Sequence, residues 1–193
     1  MDMRVLLVKD PIRSQELNDK LVRTLKSKGL KVIVVNSTFN GDIFKNLISL
    51  LSSAETRISE ADTLVGIGYA ASIALKLSLQ YRMKCLVLIG YKSIMLSLLF
   101  DQDFRKMIKV ERGDVLPLLE EHEKELTLLE PLFFLRRCPL ARKILFIRLR
   151  KAGRITELES DYLISLFMRY CRYIKPKIAD LDLSSIHKIS ELI

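Results

Sequence analysis

Four short apolar runs, each followed by a helical pattern, occupy the first ninety residues of this 193-residue chain. They cover residues 4–8, 31–35, 62–67 and 85–89. Runs that are apolar throughout, rather than alternating with polar residues, are typical of parallel sheets buried on both faces. Because crossovers between parallel strands are right-handed, we expect an α/β domain with a doubly wound, three-layer sheet of about four strands in the order 2-1-3-4.

The strand order fixes where such a sheet binds ligands. Ligands lie beyond the carboxyl ends of the strands, at the point where the order reverses. In the order 2-1-3-4 this point falls between the first and third strands. The sequence therefore predicts a site lined by residues 9–14 and 66–71.

After Gly90 the pattern becomes helical. Residues 91–135 are punctuated by Pro117 and Pro131, and Thr156 to Glu159 match a capping box that would open a helix ending near Ile174. We expect an α/β domain at residues 1–100 and an all-helical, basic region at residues 101–193.

The excess positive charge is concentrated in residues 136–154. This segment has eight basic residues and no acidic one, in a chain with a net charge of +9. Clustered positive charge attracts polyanions, so nucleic acid or another polyanion is the predicted partner. The candidate contacts are Arg136, Arg137, Arg142, Lys143, Arg148, Arg150, Lys151 and Arg154. Alternatives are a solvated helix face, partly neutralised by the acidic residues of 120–130, or a surface for a membrane or an acidic protein.

The three cysteines, Cys85, Cys138 and Cys171, are far apart in the sequence. Metal and redox sites need ligands at short spacing, so we expect buried, inert thiols, no metal and no cofactor. We also expect a cytoplasmic protein, because no apolar run is long enough to span a membrane and the N-terminus is charged. The low content of Asn and Gln beside abundant Lys, Arg and Glu favours a thermophilic source.

A glycine turn, Gly66-Ile-Gly68-Tyr69, follows the third apolar run. It fits a tolerated form of the dinucleotide fingerprint, but the acid expected at the end of the next strand is replaced by Gly90, Tyr91 and Lys92. This favours close strand–helix packing over dinucleotide binding. If the turn does bind a ligand, the candidate residues are Gly66, Gly68 and Tyr69.

Residues 63–90 resemble the nucleophile-elbow segment of α/β-hydrolases, with a strand, a sharp glycine turn, a helix of small residues and a strand ending in LVLIG. The resemblance extends over about residues 3–90 and puts the strand before Asp10 in the oxyanion-loop position. The nucleophile position falls on Gly68, which has no side chain to activate. The later strands of the family, which carry its acid and histidine, are not apparent, although His187 lies near the C-terminus as the family's histidine would. The turn is less similar to the G-G-D-G turn of NAD kinases.

Three functional hypotheses follow. The first is a non-catalytic α/β protein whose basic C-terminal segment binds nucleic acid or a ribonucleoprotein. The second is a degenerate hydrolase-like domain, a pseudoenzyme that binds a small molecule or a protein at the glycine turn. The third is a structural subunit of a homo-oligomer or hetero-complex, with apolar residues 93–100 and 132–134 at its interface.

Overall fold

The computed structural model describes residues 3–12, 15–150, 154–182 and 184–193. Its strands form one parallel sheet in the order β2-β1-β3-β4-β5-β6. The order of the first four strands is confirmed, whereas the expected number of strands was wrong. The strands are β1 (Arg4–Val8), β2 (Lys31–Val35), β3 (Thr63–Ile67), β4 (Met83–Ile89), β5 (Ala141–Leu149) and β6 (Lys177–Leu181).

Helices connect the strands and cover both faces of the sheet. Asp42 caps one of them, as its position before an apolar pattern indicates, and its side chain accepts a hydrogen bond from the Lys45 N–H at 3.0 Å. The helices are α1 (Gln15–Ser27), α2 (Ile43–Arg57), α3 (Ala70–Ser78), α4 (Ile94–Phe100), α5 (Gln102–Ile108), α6 (Val115–Glu121), α7 (Glu123–Leu129), α8 (Pro131–Phe134), α9 (Arg154–Tyr170) and α10 (Ile189–Leu192), with 3-10 turns at Ile58–Glu60, Arg112–Asp114 and Ile186–Lys188.

The core has two apolar layers, one on each face of the sheet. Alternate residues of a strand point to opposite faces, so Leu64 packs in one layer and Val65 in the other. The larger layer is covered by α2, α3, α4 and α9. The smaller one is covered by α1 and α10. This arrangement agrees with the expected α/β class.

The C-terminal half is not all-helical, and this expectation was wrong. Residues 141–149 form β5, which pairs with β4 on one side and β6 on the other. Residues 144–147 are all buried along this strand. Their apolar side chains point alternately to the two faces of the sheet, and both faces are covered. The charged residues on either side of this short run hid its resemblance to the apolar runs of the first half. The expected boundary near residue 100 falls between β4 and β5 of this one sheet.

Two of the three cysteines form a disulfide, so the interpretation as inert thiols was wrong for them. Cys138, before β5, is bonded to Cys171, which follows α9, with their Cα atoms 5.5 Å apart. Cys85 on β4 is free and buried. Within the described ranges, none of the helices has the length and hydrophobicity needed to cross a membrane.

Candidate functional site at the carboxyl edge of the sheet

The glycine turn lies between β3 and α3, at the carboxyl edge of the sheet. Gly68 has a φ of +58°, a conformation that residues with a side chain rarely adopt. Its N–H donates to the carbonyl of Ile89 at 2.9 Å, and its own carbonyl accepts from the Lys92 N–H at 3.1 Å. The turn is therefore fixed to the end of β4, the neighbouring strand.

Gly66 lets α3 approach β3 closely. A Cβ atom added at Gly66 would lie 2.7 Å from the carbonyl oxygen of Ala70, the Cα of Ala71 and the Cβ of Ala74. Heavy atoms do not approach this closely without displacement of one of them. The packing role expected from the sequence therefore agrees with the structure at this position.

The carboxylate of Asp10 lies against the second glycine. A Cβ atom at Gly68 would overlap Oδ2 of Asp10 and lie 2.7 Å from its Cγ. Asp10 is only 3% exposed. Its Oδ2 accepts a hydrogen bond from the Tyr69 N–H at 3.3 Å, and its Oδ1 accepts one from the Ile12 N–H at 2.9 Å. An oxygen of Asp10 thus fills the space into which a side chain at position 68 would project.

Five side chains beside this turn form what we call the carboxyl-edge cluster: Tyr69, Lys92, Ser97, Asp101 and Glu159. The Tyr69 hydroxyl donates to Oγ of Ser97 at 2.9 Å, and Ser97 donates to Oε1 of Glu159 at 2.8 Å. Nζ of Lys92 lies 3.5 Å from Oδ2 of Asp101 and 4.0 Å from Oε2 of Glu159. The cluster connects the glycine turn with α4 and α9.

Glu159 is the most perturbed acid of the cluster. Its side chain is 1% exposed, and burial raises its pKa to about 7, although the charge of Lys92 acts in the opposite direction. Its Oε2 accepts no hydrogen bond from the residues that the structure describes. Burial also raises the pKa of Tyr69 well above its ordinary value. The cluster therefore contains an acid that titrates near neutral pH and has an acceptor atom available.

A second buried acid, Glu130, lies beside the cluster. It accepts hydrogen bonds from the Ser93 hydroxyl at 3.1 Å, the Met95 N–H at 3.0 Å and the Tyr91 hydroxyl at 3.2 Å. Burial raises its pKa to about 7. The N–H of Ser93 donates to Oε1 of Glu159 at 3.3 Å, so Ser93 links the two acids.

Sequence reasoning missed both acids. Glu130 ends a run of acidic residues that indicates a solvated face, and Glu159 reads as the last residue of a capping box. The capping-box interpretation was wrong, because α9 begins at Arg154 and Thr156 already lies inside it. The signal that could have identified Glu130 and Glu159 is that each is a polar residue at a position that the helical pattern assigns to the core.

The basic residues of 136–150, where the structure describes this segment, do not form a continuous positive surface. Arg148 contacts Asp180 at 2.7 Å and Asp161 at 2.9 Å. Arg150 contacts the same Asp180 at 3.2 Å and Glu157 at 3.7 Å. Acids on β6 and α9 thus neutralise Arg148 on β5 and Arg150, which follows directly after this strand.

The other basic candidates are dispersed. Arg142 and Lys143 are exposed neighbours on β5 and so point to opposite faces of the sheet. Lys143 donates to the carbonyls of Leu192 and Ile193. Arg136 and Arg137 lie exposed after α8. Lys151 and the side chain of Arg154 lie outside the described part of the chain.

No protein-family model and no curated protein matches this chain. Solved structures do match it along nearly its whole length. The esterase domain of a Rhodothermus marinus protein is 12% identical, with 98% of this chain and 83% of that chain covered and a TM-score of 0.54. The Vlm2 thioesterase domain is 15% identical, with 98% and 90% covered and a TM-score of 0.54. EstE5 soaked with p-nitrophenyl butyrate is 10% identical, with 98% and 75% covered and a TM-score of 0.64. At this level of identity the comparisons establish the fold, which is an α/β-hydrolase-like core.

These findings overturn the first functional hypothesis. The similar structures include an esterase domain, a thioesterase domain and other hydrolases, and two of the arginines on which the hypothesis depended, Arg148 and Arg150, are paired with acids of the same chain. The prediction of a protein that binds nucleic acid or a ribonucleoprotein was therefore wrong. The later strands that the sequence did not reveal are β5 and β6, and His187 follows β6 in an exposed 3-10 turn with Nδ1 3.2 Å from the carbonyl oxygen of Ser184.

Proposed function

We propose that this protein uses its α/β-hydrolase-like core to bind a small polar molecule at the carboxyl edge of the sheet, and that it forms no acyl-enzyme at the glycine turn. The observation that carries the proposal is the position of the Asp10 carboxylate. Serine esterases need a hydroxyl that projects from this turn and a backbone N–H that is available to the oxyanion. Here Gly68 has no side chain, and the Tyr69 N–H already donates to Asp10.

The carboxyl-edge cluster supports a binding role. An ion pair seldom repays the free energy of removing its charges from water, so Lys92, Asp101 and Glu159 are costly residues for a purely structural position. Buried groups with shifted pKa values are concentrated at functional sites. The cluster also lies at the edge where open α/β sheets bind their ligands.

The atoms of the cluster indicate the class of ligand. Oε2 of Glu159 is a buried acceptor without a hydrogen bond in the described residues, so a hydroxyl or amine donor satisfies it. Gly66 and Gly68 keep the backbone of the turn compact, and the Tyr69 hydroxyl, which donates to Ser97, helps to hold Ser97 against Glu159. The proposed ligand is therefore a small molecule with at least one hydroxyl or amine group.

Thermal unfolding with glycerol, ethanolamine and short hydroxy acids as probes tests this proposal. At least one probe is expected to raise the melting temperature of the protein. The gain should be reduced in Glu159→Gln, in which an amide replaces one carboxylate oxygen, and retained in Glu121→Gln, whose side chain is exposed. No stabilisation by any probe, or equal stabilisation of both variants, contradicts the proposal.

Hydrolysis of p-nitrophenyl butyrate tests the second half of the proposal. Release of p-nitrophenol should not exceed the rate without protein, because no hydroxyl occupies the turn. A second candidate function, carboxylate-based hydrolysis, is favoured by the position of Oδ2 of Asp10 in the space of the missing side chain. Hydrolysis by the unaltered protein that is lost in Asp10→Asn would support this second candidate. It would contradict the proposal that no acyl-enzyme forms.

A further inference from the structure

A cleft of about 430 Å³ opens at the opposite edge of the sheet, at the amino ends of β3, β4 and β5. Its walls are formed by residues 61–62, 82–84 and 139–142. The backbone holds these segments together, since the Lys84 N–H donates to the Asp62 carbonyl at 2.7 Å and the Met83 N–H donates to the Leu140 carbonyl at 3.3 Å. We call this cavity the amino-edge cleft. It is separated from the glycine turn by the length of β3.

The charge of the amino-edge cleft is positive. Three basic side chains, Arg82, Lys84 and Arg142, line it together with one acid, Asp62. Both oxygens of Asp62 have partners, because Oδ1 lies 3.2 Å from Nζ of Lys84 and Oδ2 accepts from the N–H of Arg4 at 3.2 Å. The hydrogen bond from the Arg4 N–H is the main reason that the pKa of Asp62 lies below its usual range. Asp62 therefore stays ionised and bound to its own partners.

The two arginines remain available for a ligand. Arg82 and Arg142 are exposed, and neither guanidinium has a carboxylate partner among the described residues. A guanidinium donates two parallel hydrogen bonds to an anionic oxygen pair, and two of them together with Lys84 suit a group with two negative charges. Because Asp62 offsets Lys84, two positive charges remain, and a single carboxylate would compensate only one of them.

The apolar part of the amino-edge cleft gives it a second property. Met83 and Ala61 are buried beneath it, and Leu140 is 46% exposed beside the arginines. A volume of this size lies within the range of small-molecule sites. The ligand should therefore carry a small apolar body as well as its anionic group.

We infer that the amino-edge cleft binds a small organic phosphate. Arg82 and Arg142 hold the phosphate group, Lys84 contributes further positive charge, and the organic part lies against Leu140. This site is independent of the glycine turn, of the carboxyl-edge cluster and of the function proposed for them.

Isothermal titration calorimetry with phenyl phosphate, inorganic phosphate and phenol tests the inference. Phenyl phosphate should bind at millimolar concentration or below, inorganic phosphate more weakly, and phenol not at all. Arg82→Gln and Arg142→Gln should each weaken the binding of phenyl phosphate by about tenfold or more, because each removes charged hydrogen bonds. Both side chains are exposed, so both variants are expected to fold.

The matched control is Arg23→Gln on α1, which removes an exposed arginine outside the cleft. It should bind phenyl phosphate like the unaltered protein, and so should Glu159→Gln, whose change lies at the other edge of the sheet. Equal loss in Arg23→Gln, full binding in both cleft variants, or binding of phenol as tight as that of phenyl phosphate would overturn the inference. Because Glu159→Gln leaves the amino-edge cleft intact, failure of the phosphate-binding inference is distinguishable from failure of the binding role proposed for the carboxyl-edge cluster.

Discussion

Gly68 and Asp10 compete for one small volume, and this makes their effects on stability interdependent. Gly68→Ala places a Cβ atom on the Asp10 carboxylate and puts a side chain at a φ of +58°. We expect the free energy of unfolding to fall by roughly 2–4 kcal/mol, as for other strained and overpacked positions. Asp10→Ala removes the overlap, so the double variant should lose less stability than the two single changes added together.

Urea denaturation of the four proteins of this cycle measures the coupling. Gly113→Ala is the control, because a Cβ atom there meets nothing within 4 Å. Its stability should remain within about 0.5 kcal/mol of that of the unaltered protein. Strict additivity of the two changes, or a Gly68→Ala protein as stable as the control, would show that Asp10 does not occupy the space at position 68.

The two buried acids make stability depend on pH. The pKa of Glu130 and that of Glu159 are about 7 in the folded protein, above the ordinary value of 4.5. The folded state therefore holds protons that the unfolded state has already released, so stability falls as pH rises from about 4.5 to about 7 and is then constant. Each acid contributes on the order of 3 kcal/mol to this loss.

Chemical denaturation at a series of pH values checks this expectation. Glu130→Gln and Glu159→Gln should each flatten the decline, whereas Glu121→Gln, with its exposed side chain, should leave it unchanged. Stability that rises over this interval would mean that both acids are already ionised in the folded protein at low pH.

Residue-level features were predictable from the sequence only where their cause was local. The capping role of Asp42 and the packing role of Gly66 depend on neighbours within a few positions. The contact between Asp10 and the glycine turn joins residues 59 positions apart in sequence. The expected strand order already placed residues 9–14 beside residues 66–71, but no periodicity or motif predicts that the Asp10 carboxylate fills the space at position 68.

At the level of elements, the segment from β5 to α9 is the one that the sequence misrepresented. The four consecutive apolar residues of β5 lie between Lys143 and Arg148, and their pattern also fits a packed helix. Arg148 is tolerated in this interior strand because Asp180 on β6 lies opposite it in the register and neutralises it. A prediction of β5 therefore required knowledge of β6, which is itself short and partly exposed.

The disulfide fixes this same segment, since it joins the residues just before β5 and just after α9. It closes a loop with a sequence separation of 33 residues, and a loop of this length corresponds to about 4 kcal/mol of chain-entropy stabilisation. The variant Cys138→Ser/Cys171→Ser should lose about this free energy of unfolding. Dithiothreitol should destabilise the unaltered protein in urea and have no effect on the double variant. An equal response of both proteins to the reductant would show that the bond does not form.

At the scale of the whole molecule, the single sheet decides how the chain unfolds. β4, from the first half, and β5, from the second half, are neighbours over residues 83–89 and 141–147, so each buries the edge of the other. Net charge and composition could not reveal this, since they describe the halves separately. The alternation of apolar runs and helices revealed the first four strands and their order, because in that part of the chain each strand is followed directly by its crossover helix.

We expect the two halves to unfold in one cooperative transition. Val87→Ala on β4 and Leu145→Ala on β5 each remove apolar atoms from fully buried positions in the same layer of the core. Each change should cost about 1–5 kcal/mol. For each variant, the urea midpoint measured by far-ultraviolet circular dichroism and the one measured by tyrosine fluorescence should shift by the same amount. This is because all probes report the same midpoint in a two-state transition. The contrary result is two separate transitions, one shifted only by Val87→Ala and the other only by Leu145→Ala. The two halves would then be independent units in spite of their shared sheet.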